Sequence, residues 1–256
     1  MEQLKRGLLG LLLCGTAMCL PACWGAVYAT MKAETESHWE SALDTLGYEG
    51  NEIGKWQLSF HGGWSYRIAK VSSQMGDFTD YVKKLKSGWH LGGSLGYFWR
   101  QDMGAGASYS RYASKGQVDN VTLTYDTGEV SYGSMSDDIA IQFFAPTFFV
   151  RRPFGTGRSN FYVNVSLGYL SYVDNSLVVG QSLKLSGSTF GSAVEGGVDI
   201  PLGNKLSLSL GASLLGGNLR KLKVSSGGQE TTLELEEDQR ENLSRIDLSA
   251  GFRLRL

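Results

Sequence analysis

Proline and cysteine are scarce in this chain, at 4 and 3 of 256 residues. Charge is scarce too: Asp, Glu, Lys and Arg make up 19% of residues, against roughly 25% in an average soluble domain. Neither sign dominates, with 24 basic and 25 acidic residues, so no broad cationic surface exists for a nucleic acid. Outside the N-terminus no apolar run approaches the ~20 residues that a spanning helix needs, which excludes a helical membrane bundle. The three cysteines are Cys14, Cys19 and Cys23, so the remaining chain has no disulfide or thiolate–metal framework. Glycine is plentiful at 34 residues, about twice the usual share, and aromatics reach 11%.

Residues 1–29 read as a secretory signal peptide. Lys5 and Arg6 supply its positive start, Gly7 to Leu20 its apolar centre, and Val27-Tyr28-Ala29 a cleavage site after Ala29. Cleavage removes Glu2, Lys5 and Arg6, leaving 22 basic and 24 acidic residues and a mature charge near −2. The alternative is a lipoprotein acylated at Cys23, because Leu20-Pro21-Ala22-Cys23 has the outline of a lipobox. Residues 30–54 form a polar N-terminal segment, expected in the periplasm. Trp39, Ala42, Leu43 and Leu46 predict a short helix over 35–46.

From residue 55 the period of the pattern changes to two. In 55–67, Trp56, Leu58, Phe60, Gly62, Trp64 and Tyr66 share one face; in 88–100, Trp89, Leu91, Gly93, Leu95, Tyr97 and Trp99 do so. Weaker copies occupy 104–113 (Ala105, Ala107, Tyr109) and 139–151 (Ile139, Ile141, Phe143, Ala145, Phe149). Four cleaner ones follow at 161–173, 190–200, 206–214 and 246–256. Each is about ten residues, the length of a tilted strand crossing an apolar band ~25 Å tall.

Alternation alone does not say which face is wet, since a soluble lipocalin-like barrel has the same period. The polar partners here are mostly Gly, Ser, Asn and Gln, which fill a narrow lumen but rarely coat a soluble surface. Trp56, Trp64, Tyr66, Trp89, Tyr97 and Trp99 stand near segment ends, as interfacial aromatics do in membrane barrels. The connections alternate between short (101–103, 152–160, 201–205) and long (68–87, 114–138, 174–189, 215–245). The expected fold is all-β: an eight-stranded antiparallel up-and-down transmembrane β-barrel over 55–256, with both termini periplasmic.

That pattern resembles the small outer-membrane β-barrel proteins of Gram-negative bacteria, the OmpA/OmpX-like superfamily. Local stretches that carry the resemblance are Gly88-Trp89-His90-Leu91-Gly92-Gly93 and Asn242-Leu243-Ser244-Arg245-Ile246-Asp247. The resemblance implies a place in the cell outer membrane among lipid and lipopolysaccharide, and insertion by the barrel assembly machinery. Such barrels usually end on Phe or Trp. This chain ends Phe252-Arg253-Leu254-Arg255-Leu256, keeping the alternation without the terminal aromatic.

Eight strands enclose a lumen that side chains fill. Parity turns His61, His90, Glu195, Asp199, Asp247, Arg253 and Arg255 inward, where charges must pair. A polar network is the expected result; a gated conduit is the alternative. No catalytic constellation is expected, because only three histidines are present and the lumen is not where lipid acyl chains lie. No metal or cofactor motif appears. In the first long loop Phe78, Tyr81, Val82 and Leu85 predict one helix face, with Asp77 as cap, Gly88 as stop and Lys83, Lys84 and Lys86 in its last turn. It reads as a lid on the barrel mouth, or alternatively as an amphipathic helix on the outer leaflet. In the last loop Thr231 to Leu235 could extend the final strand pair as a hairpin and offer an edge to another protein. The expected role is structural or surface-interacting, without catalysis. The alternatives are a narrow small-solute channel and a lipid-modifying enzyme.

Overall fold

The computed structural model describes residues 55–68, 79–124, 130–154, 159–235 and 241–256. The signal peptide, Cys23, the 35–46 helix, Asp77 and Phe78 lie outside them. Eight long strands close into a ring: β1 (Lys55–Arg67), β2 (Ser87–Phe98), β3 (Met103–Thr124), β4 (Val130–Phe154), β5 (Ser159–Val178), β6 (Gln181–Pro201), β7 (Leu206–Gly216) and β12 (Arg245–Arg255). Every neighbouring pair is antiparallel, and β12 closes the ring against β1. Closure leaves no barrel edge unpaired, which is what a sheet in lipid requires. A helix, α1 (Thr79–Lys86), leads directly into β2. Short strands β8 (Asn218–Leu219), β9 (Lys221–Ser226), β10 (Gln229–Glu234) and β11 (Glu241–Asn242) lie between β7 and β12.

The register fixes the tilt. Paired residues lead from Trp64 through Trp89, Ala113 and Ala140 to Val173 on β5. The opposite way round leads from Trp64 through Leu248, Ala212 and Gly196 to Val163. The arrivals are ten residues apart (173 against 163), a shear that tilts eight strands by about 40°. Gly168, midway between them, therefore lies at the level of Trp64.

Two rows of aromatics mark the outer face. Trp56 stands opposite Tyr97, with ring centroids 5.2 Å apart, and Trp99 lies nearby against Phe148. Trp64 stands opposite Trp89 and stacks on Tyr66. Between the rows the outward side chains are apolar and exposed: Phe60, Leu91, Leu95, Val163, Leu167, Val194, Leu210 and Phe252 among them. Eight residues separate Trp56 from Trp64, or about 20 Å of height on a tilted strand.

Three expectations need correction. Residues 114–138 and 174–189 are not open loops: β3–β4 stay paired to Thr124 and Val130, and β5–β6 to Val178 and Gln181. Above the apolar rows the outer face turns polar and the inner face mixes Asp137, Asp174 and Ser176 with Val118, Met135 and Leu185, so the alternation that marks a strand fades while backbone pairing continues. On β4, Ile139, Ile141, Phe143, Ala145 and Phe149 face the lumen and are buried, not lipid. That strand is apolar on both faces, with Phe144 and Phe148 outward, so only the ladders to β3 and β5 decide its facing. The last loop does form a hairpin, β9–β10, but β9 pairs with β6 and β10 is the sheet edge.

The hairpin tips differ in quality. Gly227 and Gly228 turn β9 into β10 with φ of 57° and 85°, a conformation glycine adopts freely. Val179 turns β5 into β6 at φ 48°, which a β-branched residue resists. Val179→Asn should raise stability by about 1 kcal/mol; an unchanged urea midpoint would contradict the strain.

Candidate functional site

The lumen is built in layers. The lowest centres on Arg253 of β12, which donates to Asp199 at 2.8 Å and lies 4.0 Å from Glu195. Its guanidinium sits 3.6 Å from the centre of the Tyr162 ring. Tyr162 donates to Glu195 at 3.0 Å, Asn164 donates to Glu195 at 2.9 Å, and Ser209 donates to the Tyr162 oxygen at 3.2 Å. Residues 54 positions apart in sequence meet here because β6 and β12 flank β7 and all three turn odd-numbered residues inward. Near the floor Arg151 donates to Gln57 at 3.1 Å and covers the Phe98 ring at 4.1 Å.

The next charged layer centres on Arg245, 0% exposed. Its Nε donates to Asp247 at 3.1 Å and its Nη2 to Ser110 at 2.7 Å. Asp247 also accepts from Ser65, and from Ser213 at 3.2 Å. Ser65 Oγ lies 2.9 Å from His90 Nδ1, and the His61 and His90 rings are 5.9 Å apart. These serine, histidine and aspartate residues meet in a different order from a nucleophilic triad. There the histidine bridges serine and carboxylate; here Ser65 bridges His90 and Asp247, so the carboxylate does not orient the imidazole. Among the described residues no cluster of three or more His, Cys, Asp or Glu could hold a metal ion.

An apolar plug fills the upper part of the barrel. Tyr112, Ile139, Ile141, Phe143, Leu170, Leu215, Leu219 and Leu243 pack together, joined from above by Tyr81 and Leu85 of α1. Tyr112 donates to the carbonyl oxygens of Leu85 (3.0 Å) and Lys86 (3.2 Å), and Tyr81 donates to Asp137. Those bonds fix the helix over the mouth. Beside it Arg67 pairs with Glu241 at 2.5 Å.

All seven residues expected inward lie on the lumen side. His90, Asp199, Asp247 and Arg253 are buried; His61, Glu195 and Arg255 are half-buried. His90 and Asp247 belong to the Arg245 layer, Glu195, Asp199 and Arg253 to the lower one, and Arg255 stands below it near the strand end. Trp56, Trp64, Trp89, Tyr97 and Trp99 are exposed and Tyr66 is half-buried. On α1 Tyr81 and Leu85 are buried; Phe78 and the Val82 side chain lie outside the described set. Sequence reasoning missed Arg245, Arg67 and Tyr162. Parity alone would have found Arg245, two residues before Asp247, had the last segment begun one residue earlier.

Above the apolar rows sits a pair of buried carboxylates. Asp174 lies six residues beyond Gly168 on β5, about 15 Å above the level of Trp64. It accepts from Tyr172 at 3.2 Å, while its other oxygen is buried without a partner among the described residues. Burial, reinforced by neighbouring Asp137, pushes the Asp174 carboxyl up to about 6. A carboxyl whose folded value exceeds its unfolded value binds its proton more tightly when folded. Stability should therefore rise as pH falls from 7 towards 4, and level off below. Asp174→Asn, a neutral mimic of the protonated form, should flatten that rise. Heat-unfolding midpoints at pH 7.5 and 5 for both chains check this; equal slopes would contradict it.

No protein-family model and no curated protein sequence matches the chain. Solved structures do. A major outer membrane protein from Thermus thermophilus is 9% identical with a TM-score of 0.53, over 80% of this chain and 100% of that one. Neisserial surface protein A is 15% identical at 0.46, over 78% and 97%. OprG from Pseudomonas aeruginosa is 12% identical at 0.46, over 80% and 97%. With the closed ring, the shear of ten and the two aromatic rows, the chain has the fold of the small outer-membrane β-barrel proteins.

Proposed function

We propose that the protein is an integral outer-membrane barrel whose body is a sealed scaffold and whose exposed hairpins carry a structural or surface-interaction role, without catalysis. The observation that carries this reading is the lumen itself. Two arginine–carboxylate layers and an apolar plug lie along it; the described groups leave Asp199 Oδ1, Arg245 Nη1 and Arg253 Nε without a hydrogen-bond partner, so it is the plug of Ile141, Phe143, Leu170 and Leu215 that carries the seal. Residues 1–29 would direct export, the assembly machinery would insert the barrel, and 30–54 would remain in the periplasm. A protein partner would meet the hairpins, which rise about 30 Å above the upper aromatic row at β3–β4 and expose Tyr132, Leu177 and Leu233.

Planar-bilayer recording tests the reading against a narrow channel. Purified protein should insert without stable conductance steps. Steady, reproducible steps would overturn it and make His61, Glu195 and Arg253 the candidate lining.

A further inference from the structure

Above the closed ring the sheet continues through β9 to β10 (Gln229–Glu234), its last strand. Leu185 of β6 pairs with Asp174 on one side and with Val224 of β9 on the other. The β9–β10 hairpin therefore stands about 15 Å above the level of Trp64, clear of lipid. In an antiparallel pair successive residues direct their N–H and C=O groups to opposite sides of the strand. Leu235 donates its N–H to the Arg220 carbonyl oxygen at 2.8 Å, which puts the backbone groups of Thr231 and Leu233 on the β9 side. Those of Glu230, Thr232 and Glu234 point the other way. Among the described residues no strand pairs with that side. Such a row is a template for one more strand.

The side chains select which strand fits. Paired residues share a face, so Glu234 and Thr232 stand beside Lys221 and Lys223 on the outer face, and Glu230 beside Ser225. Lys184 of β6 lies on that face too, opposite Ser225, and Lys221 pairs with Glu234 at 2.6 Å. The outer face thus runs from basic on β6 and β9 to acidic on β10, where it stops. On the inner face Leu222, which packs against the apolar plug, stands opposite Leu233, and Val224 opposite Thr231. A second copy of this chain fits poorly. Antiparallel pairing centred on Thr232 would set Glu230 of each copy directly against Glu234 of the other, which is destabilising. A strand with cations at alternate positions would meet both carboxylates instead. We infer that β10 is a docking edge for an extended, basic segment of another protein, which adds one strand to the extracellular sheet. Main-chain bonds to Glu230, Thr232 and Glu234 supply the affinity, and the two carboxylates choose the partner. This inference rests on the surface-interaction reading above.

The full-length protein, folded in neutral detergent micelles, is titrated into short fluorescent peptides, one alternating Lys with Thr and the other Glu with Thr. Anisotropy reports binding. The Lys–Thr peptide should bind roughly tenfold more tightly than the Glu–Thr peptide. Thr232→Pro removes an N–H that β9 does not use, so the hairpin stays paired while the docked strand loses a main-chain bond. Binding should fall roughly tenfold with the heat-unfolding midpoint unchanged. Glu230→Lys/Glu234→Lys should exchange the preference between the two peptides. Binding undiminished by Thr232→Pro, equal binding of the two peptides, or binding of neither would overturn the docking edge. Dimerisation of the unsubstituted chain that Thr232→Pro abolishes would make a second copy the occupant and overturn it as well. Each of these results leaves the sealed scaffold standing, whereas stable conductance steps in a planar bilayer would remove the scaffold and leave the peptide result intact.

Discussion

Arg245→Met is expected to destabilise the folded barrel by about 3–5 kcal/mol, the usual consequence of removing one partner from a buried ion pair. Asp247 would keep its bonds from Ser65 and Ser213 but lose its one cationic partner among the described residues. Ser110 would lose its donor as well. The cost arises from an uncompensated charge, so adding Asp247→Asn to Arg245→Met should recover much of it. Urea titrations of the three chains folded in liposomes make the comparison. A double variant as unstable as the sum of its singles would show that Arg245 acts mainly by filling space.

Phe60→Arg should have an effect of similar size for a different reason. Phe60 is 63% exposed, faces outward, and lies four residues from Trp56 and four from Trp64. It therefore stands at mid-depth, where a lipid-facing arginine costs roughly 2–4 kcal/mol. Leu248 faces the same lipid opposite Trp64, so Leu248→Arg should cost only about 0–1 kcal/mol. The same titrations measure both. Equal costs would contradict the assignment of depth, and two harmless substitutions would contradict lipid exposure altogether.

These residues also show what sequence periodicity can and cannot reveal. Strands β1, β2, β6, β7 and β12 each have one apolar face and one mostly of Gly, Ser and charge, so parity alone places Asp199, Asp247 and Arg253 on the lumen side. It cannot say that Arg253 reaches Asp199 and Arg245 reaches Asp247, because partners are set by barrel register across strands distant in sequence. β4 was illegible because Ile141 and Phe144 give it an apolar residue on either face. The tall hairpins were hidden for the opposite reason: with water on the outside and a mixture within, where Asp137 and Asp174 stand among Val118, Met135 and Leu185, the two faces give little contrast. The helix over the mouth was visible through the spacing of Tyr81 and Leu85. Its anchors were not, since Tyr112 and Asp137 come from β3 and β4.

The most direct test of the whole account is which solvent each face meets. Phe60→Cys is folded into liposomes and treated with a water-soluble and a lipid-soluble maleimide, against the background of the unsubstituted chain. The introduced thiol should react only with the lipid-soluble reagent while the barrel stays folded. Labelling from water at Phe60→Cys in the folded protein would mean that this apolar face is not in lipid, and a soluble barrel would replace the membrane one.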